Sequence, residues 1–318
     1  ILNINIHDQP FGSALSYTRP AFRPSSSTST QGPPLTRAFL MPHFSFWSWP
    51  LPSIGSIPRA AAAIDAIESQ TPFSQKHPRL AWRGTVGWSG AHYPGQREAL
   101  LKAAGGRVWA DVLALTGYGL EKTGNQTAAQ RNGGGGNNNN ALMIEDFCRY
   151  KHVLYTEGIT YSGRLHFLHM CGSVLLAPPV AWLQHTTHLV RPVWSGDLYG
   201  INTSQGRGGW EPDSGVMEAW RGYPPEEANA VFVAPDWSDL ERTVRWLEDN
   251  PRVAEGIAAR QREVFVGRGY LSPAAEVCYW RALVRGWSQA VRYDVAEWEG
   301  REAVSWETFS LGHYDTVK

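Results

Sequence analysis

From about residue 79 onward, apolar and polar positions alternate between two periods, and the alternation predicts strands and helices in turn. Leu80 to Val86 reads as a strand, Arg97 to Ala104 as a helix and Val108 to Leu115 as a strand. His152–Thr156 is a further strand, followed by a glycine-bounded turn, a helix to about Met170 and a strand over Ser173–Ala177. Val231–Ala234 leads into Ser238-Asp-Leu-Glu241, whose Ser and Glu three apart form a capping box for a helix to about Asn250. Helices are then expected over Val253–Val266 and from Ser272-Pro273, an N-cap and first-turn pair, to about Val291. Strand–loop–helix–strand units of this kind predict an α/β fold, a doubly wound parallel sheet.

The first 78 residues are less regular. Residues 1–8 alternate as a strand ending at Asp8, residues 23–34 form a polar loop, and Phe44-Ser-Phe-Trp-Ser-Trp-Pro50 is an aromatic strand or loop. A helix is expected from Pro58, at its first position, to about Ser69. Gly133–Asn140, four glycines and four asparagines, is a low-complexity surface insertion, and the Gly- and Pro-rich stretch 195–228 reads as a long loop.

Composition narrows the classes. Lys plus Arg equals Asp plus Glu at 29 each, so nothing favours a polyanionic partner such as nucleic acid. No stretch reaches the roughly 20 apolar residues of a membrane span. The chain opens in mid-strand without an initiator Met, and a targeting or anchoring segment is expected upstream. Fifteen tryptophans suit core packing, with some available to stack on sugar rings. Three cysteines, Cys148, Cys171 and Cys278, are neither a zinc spacing nor a small disulfide scaffold, and suggest one pair and one orphan.

The segment Gly158-Ile159-Thr160-Tyr161-Ser162-Gly163-Arg164 follows a predicted strand and opens a predicted helix. Helix-start N–H groups, the dipole and close glycines make such a turn an anion site, and the Arg164 fork can grip phosphate oxygens in two places. The same glycines fit a degenerate P-loop, in which Arg164 replaces the lysine and Leu165 lacks the Mg²⁺-binding hydroxyl. They also fit a tight turn with a surface arginine. Trp82-Arg-Gly-Thr85 ends another predicted strand and Arg97 starts a helix, so Thr85, Arg97 and Arg164 can converge at one crevice.

Taken together and in order, Trp82-Arg-Gly-Thr85, Phe147-Cys-Arg-Tyr-Lys151, Gly158 to Arg164, Cys171-Gly-Ser-Val-Leu175, Trp182-Leu183, Asp236-Trp-Ser-Asp-Leu240 and Cys278-Tyr-Trp280 resemble glycosyltransferase family 90. That family holds fungal capsule-associated xylosyltransferases and animal protein O-glucosyltransferases, and the aromatic stretch 44–50 and Pro72-Phe-Ser-Gln-Lys76 are similar to the fungal branch. The resemblance implies a GT-B-like architecture and an inverting transfer from UDP-xylose or UDP-glucose to a glycan or protein hydroxyl. It further implies residues 1–57 as an incomplete acceptor-side domain, 58–290 as the nucleotide domain, and 291–318, with Tyr293 and Trp298, as a tail returning to the first. Thr85, Arg97 and the run Ile159, Thr160, Tyr161, Ser162, Gly163, Arg164 are similar to donor-binding residues, with Thr85 where the family has serine. Asp8, within Ile4-Asn-Ile-His-Asp8, matches the general base. Cys148 and Cys171 match a family disulfide, and the partner of Cys278 is missing. The family also implies a secretory location, in the Golgi or endoplasmic reticulum lumen.

The chemistry is self-consistent. One carboxylate takes the acceptor proton while two arginines and a helix start stabilise the leaving diphosphate without a metal, and no Asp-x-Asp motif is visible. No tightly bound cofactor is expected. Asp8 beside Pro10 also reads simply as a turn former, and a catalytically inactive sugar-nucleotide or glycan-binding module is the rival function. His166 and His169, with His185 and His188, are candidates for a metal site, although helix-surface histidines without a ligand are the commoner case. The lack of a Gly-x-Ser-x-Gly elbow disfavours a serine hydrolase.

Overall fold

A computed structural model describes residues 2–10, 13–22, 38–49, 51, 53–90, 92–115, 140–199, 210–292, 294 and 296. The predicted loop 23–34, most of the Gly/Asn run (133–139), Pro50, Tyr293 and Trp298 lie outside the described residues. Two compact units divide the chain, Ile1–Arg281 and Ala282–Lys318.

In chain order the strands are β1 (Ile4–Asn5), β2 (Ala14–Ser16), β3 (Arg19–Pro20), β4 (Ala38–Leu40), β5 (His77–Gly84), β6 (Ala110–Ala114), β7 (Tyr150–Leu154), β8 (Val174–Ala177), β9 (Trp182–Leu183), β10 (Pro192–Trp194) and β11 (Ala230–Phe232). The helices are α1 (Ile57–Gln70), α2 (Gln96–Ala104), α3 (Arg164–Leu168), α4 (Ser195–Tyr199), α5 (Ser214–Ala219), α6 (Leu240–Asp249), α7 (Pro251–Arg262) and α8 (Pro273–Ala290).

Six strands form one sheet in the order β10-β11-β8-β7-β5-β6, every pair parallel. Such a sheet must bury both faces, and alternate residues of its strands feed two apolar clusters. Ala81, Val153, Leu175, Ala177 and Phe232 pack on one side with Ile57, Ile64 and Ile67 of α1. Leu80, Trp82, Leu154, Leu176 and Val231 pack on the other with Leu100 of α2, Val244 of α6 and Ile257 of α7. This is the doubly wound α/β domain that the hydrophobic pattern predicted. Its order reverses at β5: β6 lies to one side, and β7, β8, β10 and β11 to the other. A crevice outside the C-terminal ends of β5 and β7 follows from that reversal.

A second, three-stranded parallel sheet, β1-β2-β4, comes from the first 40 residues. β3 pairs antiparallel with β9, joining this N-terminal segment to the loop after β8.

Several predicted boundaries move. Pro58 is the second residue of α1, and Ser56 is its N-cap, accepting from Arg59 N at 3.4 Å. The N-terminal strand shrinks to β1, which leaves Asp8 in a bend. The capping box is replaced: Ser238 Oγ donates to Asp236 at 2.7 Å, Asp239 becomes the N-cap of α6, and Asp239 Oδ1 accepts from Ala234 N at 3.0 Å. Phe44–Phe46 is one turn of 3-10 helix, started by His43 Nδ1 accepting from Ser45 N. The predicted long loop 195–228 carries α4 and α5. Ser272 does cap α8, its hydroxyl accepting from Ala275 N at 3.2 Å.

Candidate functional site

The residues expected to bind a donor lie along the C-terminal edge of the sheet at β5 and β7, where Arg97 and Arg164 line two separate hollows. β5 ends at Gly84, and Thr85 follows directly, its carbonyl accepting from Arg97 Nη1 at 2.7 Å. Arg97 sits in the first turn of α2, buried, and its Nε donates to the carbonyl of Glu157 at 3.1 Å. Its guanidinium lies over the Trp82 ring, 5.9 Å from the centroid. Backbone carbonyls and a π-face therefore hold this cation. Burial and the nearby Arg164 charge pull it down to about 10, so it stays protonated at neutral pH.

Arg164 begins α3, donates from Nη1 to the Arg83 carbonyl, and stands 5.5 Å from the centroid of Phe147. The two guanidiniums are close enough to repel each other, although Arg97 lines one hollow with Glu157 and Trp182 and Arg164 another with Arg83 and Phe147, so positive charge concentrates at this edge of the sheet. The expected helix to Met170 is only five residues, Arg164–Leu168. The dipole argument is weakened accordingly, and side-chain charge becomes the main attraction for an anion.

Between β7 and α3 the chain runs extended and then turns. Gly158 N bonds Thr160 O at 3.0 Å, and Ser162 N bonds the Tyr155 hydroxyl at 2.9 Å. Ser162 Oγ accepts from Arg164 N at 3.4 Å. Ile159 is about half exposed, whereas Thr160 and Tyr161 are buried. Gly163 has no room for a side chain, since a Cβ there would lie 2.8 Å from His43 Cε1 and 3.0 Å from the Trp49 ring.

Asp8, 152 residues earlier, meets this same turn: Thr160 Oγ1 donates to its carbonyl at 3.1 Å. Its carboxylate is near enough to Tyr161 to raise that phenol, together with burial, which is the larger cause, and Tyr17. Thus Asp8, Thr85, Arg97 and the run 159–164 gather at one edge of the sheet. Asp8 itself is exposed.

Cys148 and Cys171 are bonded, Cα to Cα 4.8 Å, behind the turn, and Cys278 is free and exposed. The histidines fall differently from expectation. His166, His169 and His185 are buried, not on a helix surface, and His188 is exposed. His169 stacks on Phe265 at 3.8 Å, and His166 lies 5.2 Å from His185 between rings. Burial holds His166 at about 4 and His169 at about 3, so both are neutral. Among the described residues no group of three or more His, Cys, Asp or Glu side chains is arranged to hold a metal ion. Nor is any helix there long and apolar enough to cross a membrane.

Sequence reasoning missed Glu157. Its buried carboxyl lines the crevice with Trp88, Tyr93, Arg97 and Trp182, and burial pushes it up to about 8. A lone acid in a loop carries no sequence signal; only its position three residues past a strand end beside the switch point marks it out.

The family model of glycosyl transferase family 90 matches residues 2–195, a span that includes every candidate residue above. Protein O-glucosyltransferase 1 of Homo sapiens is 23% identical over 159 residues, which cover 50% of this chain and 31% of that protein. The Bos taurus protein of the same name is 22% identical over 159 residues, with the same coverage. The matched stretch is therefore under a third of the length of these relatives. With more than half of its residues matched by the family model, the chain belongs to glycosyl transferase family 90.

Proposed function

We propose that the chain is an inverting glycosyltransferase that moves a sugar from a UDP-sugar to a hydroxyl of a glycan or protein acceptor. The observation that carries this reading is the meeting of two arginines, Arg97 and Arg164, with a carboxylate-bearing segment, that of Asp8, at the switch point of a parallel sheet.

In this reading Arg97 and Arg164 hold the diphosphate, Thr85 and Ser162 supply hydrogen bonds, and residues 159–163 shape the turn around it. Asp8 accepts the proton of the acceptor hydroxyl. The hydroxyl oxygen bonds to the anomeric carbon, the bond from that carbon to the β-phosphate oxygen breaks, and UDP leaves with the negative charge. The guanidiniums stabilise that charge in a water-poor crevice, so the proposal assigns no resident cofactor or metal ion to the step. Residues 1–57 form the acceptor side and 58–290 the nucleotide side. The family resemblance suggests xylose as the sugar, and the names of the relatives suggest glucose. The Cys148–Cys171 bond supports residence in an oxidising secretory compartment, Golgi or endoplasmic reticulum.

One observation favours the rival, a module that binds the nucleotide without turnover: Asp8 stands in an exposed bend, where water competes with an acceptor hydroxyl for its carboxylate. An Asp8→Asn variant separates the two. Transfer, read as UDP release over a panel of UDP-sugars, is expected to fall at least about a hundredfold, the scale of general-base catalysis. UDP affinity by calorimetry stays the same. Full transfer by Asp8→Asn contradicts the assignment, and wild-type UDP binding without turnover on any donor supports the rival.

A further inference from the structure

Glu157 links Arg97 to the stretch 181–183, which in turn holds the N-terminal segment. Arg97 Nε donates to the backbone carbonyl of Glu157 at 3.1 Å, while Glu157 Oε1 accepts from the backbone N–H of Trp182 at 2.8 Å. Trp182 belongs to β9, whose partner is β3, with Pro20 opposite Trp182. The Trp182 N–H thus goes to Glu157 and not into the β3–β9 ladder.

The same short stretch is tied to the N-terminal segment twice more. Thr18 Oγ1 donates to Leu183 O at 2.9 Å, and Ala21 N donates to Ala181 O at 2.8 Å. Two residues before Thr18 ends β2, which pairs with β1, and Asp8 lies three residues beyond β1. A bonded path therefore runs from the Arg97 crevice through the Glu157 carboxyl to the strands that carry Asp8.

We propose that Glu157 is a positioning residue for the transfer site: its carboxyl fixes residues 181–183, and with them the segment bearing Asp8, in register with the arginine that holds the donor. The proposal rests on the donor-site reading given above. Facing this carboxyl are Tyr93, from the loop before α2, Tyr155, just past the end of β7, and the backbone N–H groups of Ala181 and Trp182. Burial keeps the carboxyl in its neutral form at pH 7. A neutral acid has one carbonyl oxygen to accept the Trp182 N–H, and glutamine is its near-isostere.

The test compares Glu157→Ala and Glu157→Gln with the wild-type chain in three measurements. Amide hydrogen exchange at Leu15, Ala21 and Trp182 reports the register directly and does not depend on turnover. Glu157→Ala is expected to lose roughly tenfold or more of its protection there, and Glu157→Gln to keep most of it. UDP affinity is expected to be nearly unchanged in both, because Arg97 bonds the backbone carbonyl of residue 157, which neither substitution removes. Turnover of Glu157→Ala falls roughly ten- to a hundredfold in kcat with little change in donor KM, and Glu157→Gln recovers it. Wild-type exchange and kcat in Glu157→Ala overturn the proposal. So does failure of both variants to fold, which would make Glu157 an ordinary core group. A wild-type chain that turns over no UDP-sugar counts against the donor-site reading alone, since exchange still judges Glu157.

Discussion

The turn at residues 158–164 has two sides, and the protein treats buried nitrogen differently on each. On the crevice side, Arg97 and Arg164 remain charged, because backbone carbonyls of Thr85, Glu157 and Arg83 accept their N–H groups and the Trp82 and Phe147 rings face them. Behind the turn, His43, His166, His169 and His185 pack against one another and against Tyr17, Phe46 and Phe265, and burial holds them all neutral. Charge is kept where a ligand anion could use it and discharged where only packing is needed. The difference also separates a positively charged surface from a histidine cluster that sequence spacing alone presented as a possible metal site.

Breaking the covalent tie behind the turn has the largest expected effect on stability. Cys148 and Cys171 enclose a loop with a sequence separation of 23, and the double substitution Cys148→Ala/Cys171→Ala should cost about 3 kcal/mol in the chain-entropy picture. Denaturant unfolding checks this. A smaller loss, roughly 1–3 kcal/mol, is expected for Gly163→Ala, whose methyl would push into His43 and Trp49. Because that change presses the neutral side against the charged one, UDP affinity should fall along with stability.

The smallest effect at neutral pH, and the clearest sign, concerns acid. The folded values of His43, His166 and His169, about 3, 4 and 3, lie below the ordinary value near 6.5. Below about pH 6.5 the unfolded chain takes up protons that the folded chain does not, so the melting temperature should drop as pH falls toward 4. Glu157, raised by burial to about 8, acts in the opposite sense between pH 8 and about 4.5, and Asp239 and Glu276, also raised by burial, act in the same sense as Glu157, against the several histidines. His166→Phe should leave stability at pH 7 nearly unchanged and make the acid decline shallower. An equally steep decline in that variant would mean His166 is not held neutral.

Much of the doubly wound domain was legible in the sequence, because short apolar stretches such as Leu80–Trp82 of β5, Val153–Leu154 of β7 and the whole of β8 are separated by helical periods. The small sheet β1-β2-β4 was not, since strands of two or three residues have no period and are defined only by their partners in space. Thr85, Arg97 and Arg164 could be placed at the C-terminal edge of the sheet from strand ends alone, but not that the two arginines line separate hollows there. The approach of Asp8 to Thr160 could not, because it spans 152 residues through tertiary packing. The brevity of α3 was hidden too: Arg164 to Met170 is apolar enough to read as a longer helix, yet it ends where the Cys171 bond and the start of β8 pull the chain away.

The central claim is that the charged side of the turn holds the diphosphate of a sugar nucleotide. Calorimetric titration of UDP into the wild-type chain and into Arg97→Ala/Arg164→Ala tests it most directly. Charge-assisted hydrogen bonds contribute about 1.5–3 kcal/mol each, so one-site binding by the wild type and at least about a hundredfold weaker binding by the double variant are predicted. UDP binding that survives the loss of both arginines, or no binding by the wild type, contradicts the account.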